Sequence, residues 1–154
     1  MKGTPFPLLL GADHAGFRLK ESLKEWLSGQ GATVTDAGVS SDAASDYPDV
    51  AIAVAEKVAA GLFPRAILLC GSGVGMCMVA NRFPGVRAAL CSDPEGARLS
   101  RRHNDANILC LAARRLDDAT ARDIVEAWLD TDFEGGRHQV RIDKIRALEQ
   151  RLYR

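Results

Sequence analysis

Short apolar segments alternate with longer amphipathic segments along almost the whole sequence. Two of the apolar segments, RAILLC at 65–70 and ANILCLAA at 106–113, contain hardly any polar residue, which is typical of strands buried on both faces. The segment 17–31 has its apolar residues at helical spacing instead. Because buried strands separated by helices form parallel sheets covered on both sides, we predict an α/β fold, a doubly wound α/β/α domain with about five parallel strands.

The bulk composition narrows the class of protein. A length of 154 residues suits one domain, and 20 basic against 20 acidic residues give a net charge of zero. Nothing in this balance favours nucleic acid or a membrane as a partner. The cysteines Cys70, Cys77, Cys91 and Cys110 have the spacing of neither a zinc site nor a disulfide framework. No segment has the pattern of a signal peptide or a membrane span, so we expect a cytoplasmic protein with reduced thiols.

The C-terminal part differs from the α/β core. We expect a single domain over residues 1–154, with the core at about 8–131 and a separate segment at about 133–154. That segment begins at a Gly-Gly break and continues as an arginine-rich helix. One stripe of this helix is apolar and consists of Ile142, Ile145, Leu148 and Leu152. A helix added to a complete core often packs on a second subunit, so we expect a dimer; a helix that caps its own subunit is the alternative.

Several polar residues follow the predicted strands, at the sheet edge where parallel α/β folds bind ligands. The carboxyl group of Asp13 and the imidazole of His14 follow the first strand, and the phenol of Tyr47 follows the second. The thiol of Cys70 follows the third strand, Ser92 and Asp93 follow the fourth, and the guanidinium of Arg114 follows the fifth. We predict the functional site at this edge, although Asp13 and His14 also fit a structural pair in their glycine-flanked turn.

A glycine-rich loop, GSGVG at 71–75, follows the third strand. It lacks the last glycine of a dinucleotide fingerprint and the Gly-Lys-Ser/Thr of a nucleotide phosphate loop. The position where a phosphatase-type cysteine loop needs arginine holds Met76. What remains is a series of backbone N–H groups with little side-chain cover, which can stabilise a phosphate or a reaction oxyanion. A tight strand-to-helix turn without a ligand fits the same pattern.

Three further features leave two interpretations open. Cys70 lies where the strand opens into the glycine loop, so it is either an activated thiol or the last buried residue of a strand. His103 lies at the predicted end of a helix, either as a cap or as a catalyst. Arg137, His138 and Arg141 share one face of the last helix, where they either bind phosphate or form a solvated basic surface.

Five motifs, in their order and spacing, resemble the ribose-5-phosphate isomerase B family, which includes the related galactose-6-phosphate and allose-6-phosphate isomerases. They are GADHAGFRLK, SDYPD, LLCGSGVGMCMVANRFPGVRAALC, SRRHNDANILCLAARRL and FEGGRHQVRIDKI, and the match extends from about Leu8 to Ile145. The resemblance implies a Rossmann-like fold and an aldose–ketose isomerase that needs no metal and no cofactor. It also implies a homodimer, or a tetramer, with active sites at the subunit interface.

The resemblance assigns a role to each matched residue. Cys70 matches the thiol that abstracts the substrate proton, and His103 matches the acid/base that opens the sugar ring. Ser72 stands where many members have a threonine, whose hydroxyl assists proton movement between the two substrate oxygens. Some members use a glutamate in the glycine loop instead of the thiol, but that position here is Met76. The positions that match the enediolate-binding backbone are Gly71, Gly73, Val74 and Gly75. Those that match the sugar-contacting residues are Asp13, His14, Tyr47 and Asn104. The phosphate-binding positions are Arg114, Arg137 and Arg141, and the resemblance implies that some of these residues come from the partner chain.

We therefore expect the interconversion of ribose 5-phosphate and ribulose 5-phosphate. This reaction needs a base near C2, an anion hole for the enediolate, a ring-opening group and a phosphate clamp. The same chemistry on a six-carbon aldose 6-phosphate, of allose or galactose, is the nearest alternative. A sugar-phosphate-binding module without turnover and a thiol redox or acyl-transfer protein are alternatives from other classes. No group of residues shows metal-ligand spacing in the sequence, so no metal is expected.

Overall fold

The computed structural model describes Thr4 and residues 6–153, so that positions 1–3, 5 and 154 of the expected domain lie outside the described residues. The described residues form a five-stranded sheet in the order β2-β1-β3-β5-β4, in which every neighbouring pair is parallel. The predicted doubly wound α/β fold is confirmed. The strands are β1 (Leu8–Ala12), β2 (Val34–Asp36), β3 (Arg65–Cys70), β4 (Ala88–Leu90) and β5 (Ile108–Ala112).

Six helices in the described residues complete the fold. They are α1 (Phe17–Gly29), α2 (Tyr47–Ala59), α3 (Val74–Ala80), α4 (Pro94–Asn104), α5 (Asp118–Leu129) and α6 (Arg137–Leu152). Helices α1 and α5 pack on one face of the sheet, with α4 beside α5, and α2 and α3 pack on the other face. Among the helices of residues 6–153, none combines the length and the apolar character that crossing a membrane requires.

The central strand β3 shows why the sequence contains uninterrupted apolar segments. All six of its residues are buried. Ile67 and Leu69 belong to the core on the side of α1 and α5, whereas Ala66, Leu68 and Cys70 belong to the core on the side of α2 and α3. Successive side chains of a strand point to opposite faces, so a strand with helices on both sides needs apolar residues at every position. The strand therefore carries Cys70 to the border between the core and the glycine loop.

Two sequence-based expectations differ from the structure around β2. The β-branched segment 32–38 predicts a longer strand than the three residues of β2, which lies at the edge of the sheet. Tyr47, expected in the loop after β2, is instead the first residue of α2, with Asp46 at the N-cap and Pro48 in the first turn. Proline suits that turn because its fixed φ is helical and its missing N–H would have no helical partner there. Tyr47 is therefore positioned by a helix rather than by a loop.

The C-terminal helix α6 leaves most of its apolar stripe uncovered in this chain. Of the four residues in the predicted stripe, Ile142 is buried. Ile145, Leu148 and Leu152 are 42%, 43% and 64% exposed. The helix also contacts its own subunit, because the carboxylate of Glu149 accepts a hydrogen bond from the N–H of Gly85 at 3.1 Å.

Candidate active site

The topology of the sheet creates a crevice at its carboxyl edge. From β1 the chain moves to β2 on one side, whereas β3 and β5 lie on the other side of β1. In open α/β sheets, ligands bind where the strand order reverses in this way. Asp13 directly follows β1, and Cys70 is the last residue of the neighbouring strand β3. The acid and the thiol predicted from the sequence therefore flank this crevice.

Cys70 accepts a hydrogen bond from the backbone of the glycine loop. The N–H of Gly73 donates to the Sγ atom of Cys70 at 3.1 Å. Gly73 has a φ of +72°, in the left-handed region that glycine adopts without strain. The contact joins the sulfur of Cys70 to the loop, while the residue itself is 4% exposed and belongs to the core.

The other cysteines are not placed to act as the same base. Burial raises the pKa of Cys91 to about 11, and a hydrogen bond with Cys77 together with burial raises the pKa of Cys110 well above its usual value. The same hydrogen bond lowers the pKa of Cys77. The Cys77 thiol, however, lies in α3 and contacts the carbonyl oxygen of Ala88 in the edge strand β4. Cys70 is therefore the thiol at the crevice.

The glycines of the loop allow two predicted side chains to approach its backbone. A Cβ atom on Gly75 would lie 2.5 Å from the ring of Tyr47, so any side chain there would force this ring to move. A Cβ atom on Gly71 would lie 3.0 Å from a guanidinium nitrogen of Arg114. The structure thus brings Tyr47 and Arg114 against the same loop, as the sequence predicts.

A cavity of about 590 Å³ opens at the glycine loop. Its lining includes Gly71, Ser72, Val74, Ser92 and Arg114. The hydroxyl of Ser72 accepts a hydrogen bond from the N–H of Val74 at 3.3 Å, which keeps it within the loop. The lining also includes apolar residues such as Leu90 and Leu116 but not Cys70, so this cavity lies on the β4–β5 side of the glycine loop.

Asp13 and His14 do not form the structural pair that the sequence leaves open. The carboxylate of Asp13 accepts a hydrogen bond from the N–H of Gly16 at 3.1 Å, which closes the turn after β1. The backbone N–H of His14 donates to the hydroxyl of Ser45 at 3.0 Å, and its Nδ1 atom lies 3.1 Å from the carbonyl oxygen of Ser45. Each side chain therefore fixes a different segment, and His14 ties the turn after β1 to the segment before α2.

His103 and Asn104 lie near the amino ends of the strands, whereas Cys70 lies at the carboxyl ends. Helix α4 begins past the carboxyl end of β4 and returns to the start of β5. At its end, the carbonyl oxygen of Asn104 accepts a hydrogen bond from Arg87, the residue that precedes β4. The strand β3, which ends at Cys70, spans about 16 Å at 3.3 Å per residue. Within one chain, the predicted ring-opening group is therefore remote from the predicted base.

His103 belongs to a second cluster, formed by the end of α4 and the start of α6. Its ring stacks on that of His138, with centroids 4.2 Å apart and planes 13° apart. Arg141 donates to Nδ1 of His138 at 3.4 Å, and Nε of Arg137 lies 3.5 Å from Nε2 of the same ring. Glu134 lies 3.4 Å from Nε2 of His138 and 4.0 Å from Nε2 of His103. The structure therefore brings His103, Arg137 and Arg141 together, away from the glycine loop.

The structure reveals contacts of His138 and Glu134 that the sequence does not indicate. His138 is buried, although the sequence presents it as one of three donors on a basic helix face. Burial, together with the charges of His103 and Arg137, lowers the pKa of His138, so a neutral ring is favoured. The sequence patterns do not single out Glu134, although its spacing of four residues from His138 is a recognisable signal. A hydrogen bond from Arg102 lowers the pKa of Glu134, which keeps its carboxylate charged.

The structure brings together three potential metal ligands that spacing along the sequence does not indicate. Ligand atoms of His103, Glu134 and His138 all lie within 4.8 Å of one another in the described part of the chain. A cation does not fit them as arranged, since two nearly parallel stacked rings cannot both direct a lone pair at one ion. Arg137 and Arg141 against His138 add positive charge beside any such ion. The cluster is better suited to hold an imidazole in place than to hold a metal.

Comparison with known proteins relates these features to one family. A family profile described as Ribose/Galactose Isomerase matches residues 8–145. Ribose-5-phosphate isomerase B of Escherichia coli K12 is 46% identical over 144 residues, which are 94% of this chain and 97% of that protein. D-erythrulose-4-phosphate isomerase of Pectobacterium atrosepticum is 41% identical over 90% of this chain and 91% of its own length.

The fold has a counterpart among solved structures as well. Ribose-5-phosphate isomerase B from Mycoplasma genitalium with bound ribulose 5-phosphate superposes with a TM-score of 0.91 at 44% identity, over 96% of this chain and 98% of that one. The profile match extends from β1 into α6, so it includes the crevice and the cluster around His103 alike. The chain belongs to the ribose/galactose isomerase family.

Proposed function

We propose that this protein interconverts ribose 5-phosphate and ribulose 5-phosphate. The observation that carries the proposal is the thiol of Cys70 at the carboxyl-edge crevice, with the N–H of Gly73 donating to its sulfur. Family membership supports the reaction class, because the E. coli relative is a ribose-5-phosphate isomerase B. The M. genitalium structure supports the sugar, because it contains ribulose 5-phosphate.

In the proposed mechanism, the Cys70 thiolate removes the proton from C2 of the open-chain aldose. The C2–H electron pair forms the C1–C2 double bond, and the C1 carbonyl oxygen becomes the enediolate oxygen. Backbone N–H groups of the loop 71–75 stabilise that charge where it develops. The hydroxyl of Ser72 passes the proton from O2 to O1, and the Cys70 thiol returns its proton to C1. The ketose forms, and the thiolate is regenerated.

Ring opening precedes this proton transfer and is assigned to His103. Its imidazole protonates the ring oxygen and accepts the proton of the C1 hydroxyl, so the ring C–O bond breaks and the aldehyde forms. Arg114, Arg137 and Arg141 bind the phosphate as guanidinium groups. The hydroxyls of the sugar contact Asp13, His14, Tyr47 and Asn104.

The proposed active site needs two copies of the chain. Cys70 and His103 lie at opposite edges of one sheet, as described above, so His103, Asn104, Arg137 and Arg141 are supplied by a partner subunit. The stripe Ile145, Leu148 and Leu152 supports an interface on α6, because these apolar side chains remain 42% to 64% exposed in their own chain. We infer a homodimer, or a tetramer of such dimers. A cytoplasmic location is part of the proposal and is supported by four free thiols.

The function is tested by following substrate conversion and deuterium uptake by NMR in D2O. Ribose 5-phosphate, allose 6-phosphate and galactose 6-phosphate are each incubated with the wild type, Cys70→Ala and, as a matched control, Cys110→Ala. We expect rapid turnover of the pentose, a loss of about 10³-fold in Cys70→Ala and near-normal turnover in the control. Faster turnover of a hexose phosphate would change the substrate but keep the mechanism. Normal turnover by folded Cys70→Ala would refute the thiol base, and binding without turnover would indicate a binding module.

A further inference from the structure

We propose that His138 and Glu134 are positioning residues that hold the imidazole of His103 in the orientation needed to open the sugar ring. The inference deepens the proposed function and rests on it, since it concerns the ring-opening step of that reaction. It starts from a pair of stacked imidazoles and a carboxylate shared between them, none of which the proton-transfer chemistry at Cys70 uses.

His103 is a side chain that needs an external constraint. It lies in the last turn of α4, and 35% of its side chain is exposed. An imidazole at a surface helix end can rotate among several rotamers, whereas general acid/base catalysis requires its nitrogens within hydrogen-bond distance of defined substrate atoms. The ring of His138 covers one face of His103 at 4.2 Å. This contact limits rotation and covers a face of the ring rather than its nitrogen atoms.

His138 can act as a fixed platform because its own position is determined from several sides. Its side chain is 5% exposed, and Arg141 and Arg137 contact its two ring nitrogens. The two glycines before α6 have positive φ values of 66° and 54°, and the N–H of His138 donates to the carbonyl oxygen of Gly135 at 3.0 Å. That sharp turn places the first turn of α6 against the end of α4.

Glu134 joins the same two elements through its backbone and its side chain. Its N–H donates to the carbonyl oxygen of Arg102 at 3.1 Å, and its carboxylate accepts from Nε of Arg102 at 2.6 Å. The other carboxylate oxygen lies on the Nε2 side of both imidazoles, at 3.4 Å from His138 and 4.0 Å from His103. Because Arg102 directly precedes His103, these contacts fix the backbone that carries the ring-opening side chain.

The two sugars of the reaction separate ring opening from proton transfer. Ribose 5-phosphate closes a five-membered ring through O4, so its conversion includes ring opening. Ribulose 5-phosphate cannot close such a ring, because its O5 carries the phosphate. Deuterium exchange at C1 of ribulose 5-phosphate therefore needs the thiol and the anion hole but not the ring-opening group. A positioning role predicts a defect in the first reaction and not in the second.

The experiment measures both reactions for the wild type, His138→Ala, His138→Phe, Glu134→Gln and Glu95→Gln, with unfolding curves to confirm that each variant is folded. Glu95 is the control, because it lies at the other end of α4 in an exposed pair with Arg98. We expect His138→Ala to lower kcat for conversion of ribose 5-phosphate by about tenfold or more, while kcat for C1 exchange of ribulose 5-phosphate, measured at saturating substrate, stays within about twofold of wild type. His138→Phe, which keeps a flat ring, should recover most of the conversion, Glu134→Gln should lose about threefold, and Glu95→Gln should match the wild type.

Three results would overturn the inference. Equal losses of conversion and exchange in His138→Ala would mean that the residue supports the whole site or binds substrate. Unchanged conversion in folded His138→Ala and Glu134→Gln would mean that His103 needs no such support. A wild type that neither converts ribose 5-phosphate nor exchanges ribulose 5-phosphate would refute the proposed function, and the inference with it.

Discussion

Mixing two inactive variants tests whether each active site is built from two chains. Cys70→Ala removes the base from one edge of the sheet, and His103→Ala removes the ring-opening group from the other. A mixed dimer of the two variants has one site with neither group and one site with both. If the sites are shared, two inactive proteins should therefore give an active one when their subunits exchange.

The activity expected after mixing follows from the number of intact sites. In an equal mixture that exchanges freely, about half of the dimers are mixed, and each mixed dimer has one intact site out of two. The expected activity is about a quarter of the wild-type value, well above the 10²- to 10⁴-fold losses usual for removing an acid or base. The separation that makes sharing necessary is the length of β3, about 16 Å, plus the distance from the strand end to the end of α4.

The assay is the conversion of ribose 5-phosphate after co-refolding of the two variants in equal amounts. The matched control mixes Cys70→Ala with the double variant Cys70→Ala/His103→Ala, which has no thiol in any site and should stay inactive. If the first mixture shows no more activity than the mean of its two parents, while subunit exchange is demonstrated with tagged chains, the reasoning from opposite sheet edges is wrong.

Two further predictions concern the loop and the imidazole pair. Gly75→Ala places a Cβ atom 2.5 Å from the ring of Tyr47, so kcat/KM for ribose 5-phosphate should fall by about tenfold or more. The control is Gly29→Ala, which should leave kcat/KM unchanged because Gly29 has open space around it. Equal values of kcat/KM for the two variants would contradict the clash. Burial lowers the pKa of His138 in the folded state below its usual 6.5, so the unfolded chain binds more protons as the pH falls through that range. The free energy of unfolding, measured with urea, should therefore decrease from pH 7 to pH 5.5, and the decrease should be smaller in His138→Phe; an identical pH dependence in the two proteins would show that His138 does not titrate in this way.

The apolar pattern of a segment predicts its place in the fold where burial of that segment alone determines its sequence. A strand such as β3 needs apolar residues on both faces, so the apolar segment AILLC, with helical segments before and after it, indicates a buried parallel strand. The short edge strand β2 is less well predicted, because it has one neighbour and three residues. Lys20 shows another limit, since it is buried on α1 through hydrogen bonds to Asp36 and the carbonyl oxygen of Val39, which an apolar pattern does not reveal.

The sequence predicts which residues belong to the site better than it predicts how those residues are arranged. Strand ends and the glycine loop mark Asp13, Cys70 and Arg114 by position, because the carboxyl ends of parallel strands meet at one edge. The stacking of His103 on a ring 35 positions later, and the carboxylate between α4 and α6, depend on how two helix ends pack. Composition and spacing along the chain specify which elements form and which side chains each one carries. Which of those side chains face one another is decided by the packing of the elements in three dimensions, because contacts between distant residues form when the elements meet.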